Sequence, residues 1–151
     1  MRTRILITII LSLSIPSTIL SEAPVSASEA PKDHSKYNGV LEDRYYDLLA
    51  RCETNSDWNH STRTYTSGLG INRRTFQRWS NHTSAKGMTP RQQVKVADAI
   101  AFLGHTEPNG EYVFPVGPYG WSVIKYQNCM NLRQFICRSK HPKVQRWKRY
   151  C

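Results

Sequence analysis

The chain has 151 residues, with 21 Lys and Arg against 11 Asp and Glu, a net charge of +10 and a mean hydropathy of −0.56. This length has room for one domain with a modest core, which excludes an assembly of several large cores. No CxxC spacing occurs and the five histidines are scattered, so neither a metal centre nor another cofactor is expected.

Residues 1–27 read as a secretory signal peptide: Arg2 and Arg4, then sixteen uncharged residues from Ile5 to Leu20, then Val25, Ser26 and Ala27, with cleavage after Ala27. The apolar run carries Pro16 and falls short of the about 20 apolar residues of a membrane span. The expected location is therefore outside the cell or in the cell wall. Export makes two disulfides the default for Cys52, Cys129, Cys137 and Cys151, with three pairings open. Residues 28–40, with Pro31, Gly39 and several charges, suggest a flexible leader.

From residue 41 to about 52, Leu41, Tyr45, Leu48, Leu49 and Cys52 recur at helical spacing and predict an amphipathic helix. Glu53 comes next, at the border of that stripe. A carboxyl held there is partly desolvated, which raises its pKa toward the range of a general acid. On position alone, however, a glutamate after a helix is an ordinary solvated residue.

The polar stretch Thr54 to Ser67 suits loops and a short hairpin around Tyr65. Gly68 and Gly70 permit turns or the close approach of a ligand. Asn72 can cap a short helix that places Phe76 and Trp79 on one face. Thr89, Pro90 and Gln92 form a capping box with proline at the first helical position. Val96, Ala97, Ile100, Ala101 and Leu103 give that helix its buried face, and Gly104 stops it.

Residues 105–121 hold too many prolines and glycines for long elements and should return Trp121 and Cys129 to the first helix. The tail, residues 130–151, contains Arg133, Arg138, Lys140, Lys143, Arg146, Lys148 and Arg149 and no acid. Such a tail either keeps the protein soluble or meets a polyanion.

The run Ala50, Arg51, Cys52, Glu53 to Trp58 continues through Thr62, Tyr65, Ser67, Gly68, Leu69 and Gly70. Phe76 and Trp79 come after it, then Thr89, Arg91, Gln92 and Gln93, and the pattern closes at Gly120, Trp121 and Cys129. In order and spacing this resembles the transglycosylase-like domain of resuscitation-promoting factors, secreted peptidoglycan-cleaving proteins of actinobacteria with a lysozyme-like fold. The likeness covers residues 44–129, inside an expected domain of 41–129. Gly70 stands where the family often has glutamine, and Ser67 where it has glycine.

The resemblance implies an α+β, mainly helical, disulfide-stabilised lysozyme-like domain with a small hairpin region. It implies Glu53 as the catalytic acid and the pairing Cys52–Cys129, which leaves Cys137–Cys151 to close the basic tail. Trp58, Thr62, Tyr65, Gly68, Gly70 and Trp121 are the implied or candidate sugar-binding residues, Tyr65 facing the cleft, with Trp79 and Phe76 read as core. The Gly70 departure suggests a missing polar contact to sugar.

The expected reaction is cleavage of the β-1,4 bond between N-acetylmuramic acid and N-acetylglucosamine. Glycosidases ordinarily use two carboxylates, but Asp57, the only nearby second acid, reads as a loop cap. One acid suffices if the substrate's own hydroxyl attacks to give an anhydro sugar, while hydrolysis stays open. Expected partners are peptidoglycan glycan strands and, for the tail, anionic wall polymers; no nucleic acid is expected, and the protein should be a monomer. The competing classes are a peptidoglycan-binding or signalling module without turnover and a cationic polyanion-binding protein.

Overall fold

The structure, a computed structural model, describes residues 36–125, 129 and 131–151, all within one unit, Asp33–Cys151. The expected signal peptide and residues 28–35 lie outside the described residues. No described helix is long and apolar enough to cross a membrane.

The first predicted helix forms as α1, Asp43–Thr54. Its first residue holds the preceding segment: the Asp43 carboxylate accepts the Lys36 N–H at 2.7 Å and the Tyr37 N–H at 3.2 Å. Lys36 to Val40 therefore belong to the fold and are not a flexible leader. Tyr37 is buried, and the Val40 N–H donates to Asp98 Oδ2 at 2.7 Å. The sequence reading missed this because the Asp98 anchor lies 58 residues along the chain and no helical or strand period marks the Asp43 bonds.

At the other end, Asn55 takes the left-handed conformation, and the N–H groups of Asn55 and Ser56 return to the carbonyls of Arg51 and Ala50. Glu53 thus lies in the last helical turn, within α1 rather than after it. The buried face is rotated from the expected stripe: Tyr45, Tyr46, Leu49 and Ala50 are buried, while Leu48 and Cys52 are half-buried. Tyr46 turns inward because its hydroxyl donates to Asp98 Oδ1 at 2.5 Å and accepts the Leu41 N–H at 3.1 Å.

A small hairpin comes next, β1 (Tyr65–Thr66) pairing antiparallel with β2 (Ile71–Asn72). Asn72 caps α2 (Arg73–Ser80) by accepting the Arg74 N–H, and α2 buries Phe76 and Trp79. Each such aromatic is worth about 1.5–3 kcal/mol of burial. The capping box of Thr89 and Gln92 starts α3, Pro90–Asp98.

A single π-helical turn, Ala99–Leu103, extends α3. Its closing bond runs from the Gly104 N–H to the Ala99 carbonyl at 2.8 Å, one residue wider than an α turn. The extra residue rotates the end of the helix about its axis. Phe102 is buried and Leu103, expected in the core, is 39% exposed.

Three carbonyls at this helix end find partners elsewhere. Ile100 O accepts from Val116 N, Phe102 O from Arg146 Nη2, and Leu103 O from the Tyr112 hydroxyl. A second short hairpin, β3 (His105–Thr106) with β4 (Tyr112–Val113), interrupts the proline- and glycine-rich stretch.

A 3₁₀ turn, Pro118–Gly120, leads to α4 (Ser122–Lys125), and the tail forms α5 (Leu132–Arg138) and a 3₁₀ helix, Pro142–Tyr150. The tail is no appendage outside the domain. Leu132, Ile136 and Val144 are buried in the same core, and Phe135 meets Tyr45 of α1 edge-on. Disulfides join Cys52 to Cys129 and Cys137 to Cys151, with Cα separations of 6.0 and 5.7 Å. The architecture is mainly helical, with two minimal hairpins and two disulfide staples.

Candidate active site

The turn between β1 and β2 brings the hairpin against α1. Ser67 has φ +74°, a conformation that favours glycine, and its Oγ accepts the Leu69 N–H at 2.9 Å. That local bond gives a serine a reason to stand there. The Gly68 N–H donates to Gln93 Oε1, and the Gly68 carbonyl accepts the Thr54 hydroxyl at 2.7 Å. Gln93 is wholly buried and also donates to the carbonyls of Trp58 and Met88. One amide therefore ties α3 to the turn and to the loop after α1.

These contacts frame a cleft of about 510 Å³. Glu53 comes to it from α1, Tyr65, Ile71 and Asn72 from the hairpin, Thr75 from α2 and Ile100 from the π turn. Gly70 of the hairpin turn and His60, Val116, Gly117, Gly120, Trp121 and Ser122 complete the lining. Trp121 is held by its indole N–H, which donates to the Leu69 carbonyl at 2.6 Å. Tyr65 is 48% exposed and offers the cleft an accessible ring.

Glu53 is half-buried, and no hydrogen-bond partner for its carboxyl occurs among the described residues. Burial pushes the carboxyl up to about 7, because desolvation penalises its charged form and no cation offsets this. No other carboxylate is among the lining residues. Asp57 is exposed and its Oδ1 accepts the Asn59 N–H at 2.9 Å, the local capping expected of it.

Of the candidate sugar-binding residues, the structure brings Tyr65, Gly70 and Trp121 to the cleft with Glu53. Trp58, Thr62 and Gly68 do not line it. Trp58 packs on Tyr37, with ring centroids 5.5 Å apart, and against Gly68, where an added Cβ would lie 2.8 Å from its ring. Thr62 caps the hairpin loop by accepting the Tyr65 N–H at 2.9 Å. Small polar and aromatic residues after a helix carry too little pattern to separate loop architecture from ligand contact.

Gly70 lies directly against Glu53. It has φ +62°, and an added Cβ would lie 2.6 Å from Glu53 Oε2. Glycine there makes room for the carboxyl. Sequence reasoning missed His60, Asn72, Thr75 and Ser122 as lining residues, and no periodicity marks them. It also missed Asp98, for which a signal existed: an acid inside the apolar face of a strong helix.

No metal-binding cluster of His, Cys, Asp or Glu occurs among the described residues. No protein-family model matches the chain, and no curated protein or solved structure is significantly similar to it.

Proposed function

We propose that the protein cleaves the β-1,4 glycosidic bond of peptidoglycan between N-acetylmuramic acid and N-acetylglucosamine, with Glu53 as its single acid and base. The observation that carries this reading is a lone, half-buried carboxyl at a cleft, held up to about 7 by burial, with aromatic rings beside it. A carboxyl in that range is protonated often enough to act as an acid and ionised often enough to act as a base.

Protonated Glu53 gives its proton to the leaving glycosidic oxygen as positive charge develops at the sugar's anomeric carbon. With no second carboxylate among the lining residues, the N-acetylmuramic acid hydroxyl attacks that carbon and Glu53 takes its proton. The chain ends in an anhydro sugar and Glu53 is reset. Tyr65 and Trp121 offer faces or edges for pyranose rings. The resemblance to a lysozyme-like transglycosylase domain belongs to this same proposal, as does a secreted, wall-associated location.

The test is digestion of purified peptidoglycan, with products read by mass spectrometry. Wild type should release soluble muropeptides with anhydro ends, and Glu53→Gln should release none. Release by the Glu53→Gln protein would defeat the assignment, and reducing ends alone would replace the intramolecular route by hydrolysis.

A further inference from the structure

The 3₁₀ helix Pro142–Tyr150 sorts its residues by a period of three, because side chains at i and i+3 eclipse in this geometry. Val144, Trp147 and Tyr150 share one row, which packs inward through buried Val144. Lys143, Arg146 and Arg149 share the next row, and all three are exposed. Consecutive cations on this row are separated by one turn, about 6 Å.

Among the described residues no carboxylate pairs with any of the three. The backbone that carries the row is stapled, and two of its three side chains are held, Arg149 by lying over the Tyr150 ring. Cys137–Cys151 closes the segment, and the Arg146 guanidinium donates to the Phe102 carbonyl at 3.2 Å. Gly117, which lines the cleft, lies against the Trp147 ring, so the row next to the cations stands beside the cleft rim.

We propose that Lys143, Arg146 and Arg149 form a preordered ladder that binds a linear phosphodiester polymer without bases, of the poly(glycerol phosphate) kind. Charge complementarity gives the attraction, and a spacing near the repeat of an extended phosphodiester chain gives the match. Preordering limits the entropy that long cationic side chains ordinarily lose on binding. The neighbouring rings argue against a nucleic acid. Arg146 and Arg149 lie over Trp147 and Tyr150 at 5.0 and 4.9 Å, and the two rings stack on one another. Trp147 is half-buried against Gly117, and Tyr150, though 46% exposed, meets the Tyr119 and Trp147 rings and the Arg149 guanidinium, whereas base stacking in single strands uses open ring faces.

The experiment is fluorescence anisotropy with a labelled poly(glycerol phosphate) oligomer and the disulfide-bonded chain, over a series of salt concentrations. Three neutralised phosphates predict a slope of about −2 in log K against log salt. Lys143→Gln with Arg149→Gln, which spares the bonded Arg146, should bring the slope to about −0.7 and weaken binding roughly 25-fold at 0.1 M salt. Lys86→Gln with Lys95→Gln makes the same charge change on other exposed residues and should leave binding within about twofold.

Equal losses in both double variants would overturn the ladder in favour of diffuse net charge. Tighter binding of a single-stranded oligonucleotide with the same number of phosphates would overturn the choice of polymer. Circular dichroism of each variant establishes that the fold is intact. The Glu53→Gln protein should bind as wild type does, so failure of the ladder and failure of the cleavage reaction are told apart.

Discussion

Glu53 and Gly70 act as a pair. The glycine's missing side chain is the space that the carboxyl occupies. Gly70→Ala should therefore displace the Glu53 carboxyl and strain a left-handed backbone, at a cost of about 1–2 kcal/mol. Muropeptide release should fall more steeply than the melting temperature; full activity in the variant would show that the carboxyl has no fixed place. In the proposed reaction the same carboxyl sets the pH response. With burial lifting it to about 7, the protonated form that starts the reaction is lost as pH rises through that value. A pH profile of kcat/KM should accordingly fall above about 7, and a profile flat to pH 9 would remove Glu53 from the proton-donating role.

Elements are tied together here by buried polar groups more than by strand pairing. Asp98 of α3 holds Tyr46 of α1 and the backbone of Val40, and burial pushes its carboxyl up to about 7 against those two hydrogen bonds. The folded protein then keeps a proton that the unfolded chain releases above about 3.8. Native stability should consequently fall as pH rises from about 4 to 7 and level off beyond. Glu53 contributes in the same direction.

Asp98→Asn should reduce this slope in urea unfolding measured from pH 4 to 8. It should also cost about 1–3 kcal/mol, because an amide has one acceptor oxygen for the Val40 N–H and the Tyr46 hydroxyl, where a carboxylate has two. An unchanged slope would assign the titration elsewhere. The capping box at Thr89 and the Phe76–Trp79 face were legible in the sequence because short-range chemistry decides them. Leu103 was not, since the π turn that expels it depends on Val116, Arg146 and Tyr112 taking the helix's last carbonyls. That Glu53 lines a cleft was expected from the ordered pattern running from Ala50 to Cys129 and not from its position alone, whereas the separation of Tyr65 from Trp58 needed the packing of Tyr37.

At the scale of the molecule, the two disulfides close loops of very different length, with separations of 77 and 14 residues. The chain-entropy relation gives about 4.5 and about 3 kcal/mol for them. Replacing Cys137 and Cys151 by serine should thus cost less in urea unfolding than replacing Cys52 and Cys129, and the reverse order would mean that tail packing dominates. The long staple joins the turn carrying Glu53 to Cys129, beyond the loop of prolines and glycines that lines the cleft. The π turn joins that same loop to α3 by another route, since a regular α turn would leave no free carbonyl at Ile100 for the Val116 N–H. This surplus residue has a kinetic signature. Val116 lies between Pro115 and Gly117 with no strand or helix of its own, yet its amide is bonded to the Ile100 carbonyl and should meet solvent deuterium only when that bond opens. Cleft wall and helix would then open as one cooperative unit, and the Val116 amide would exchange on the timescale of α3 rather than that of a loop.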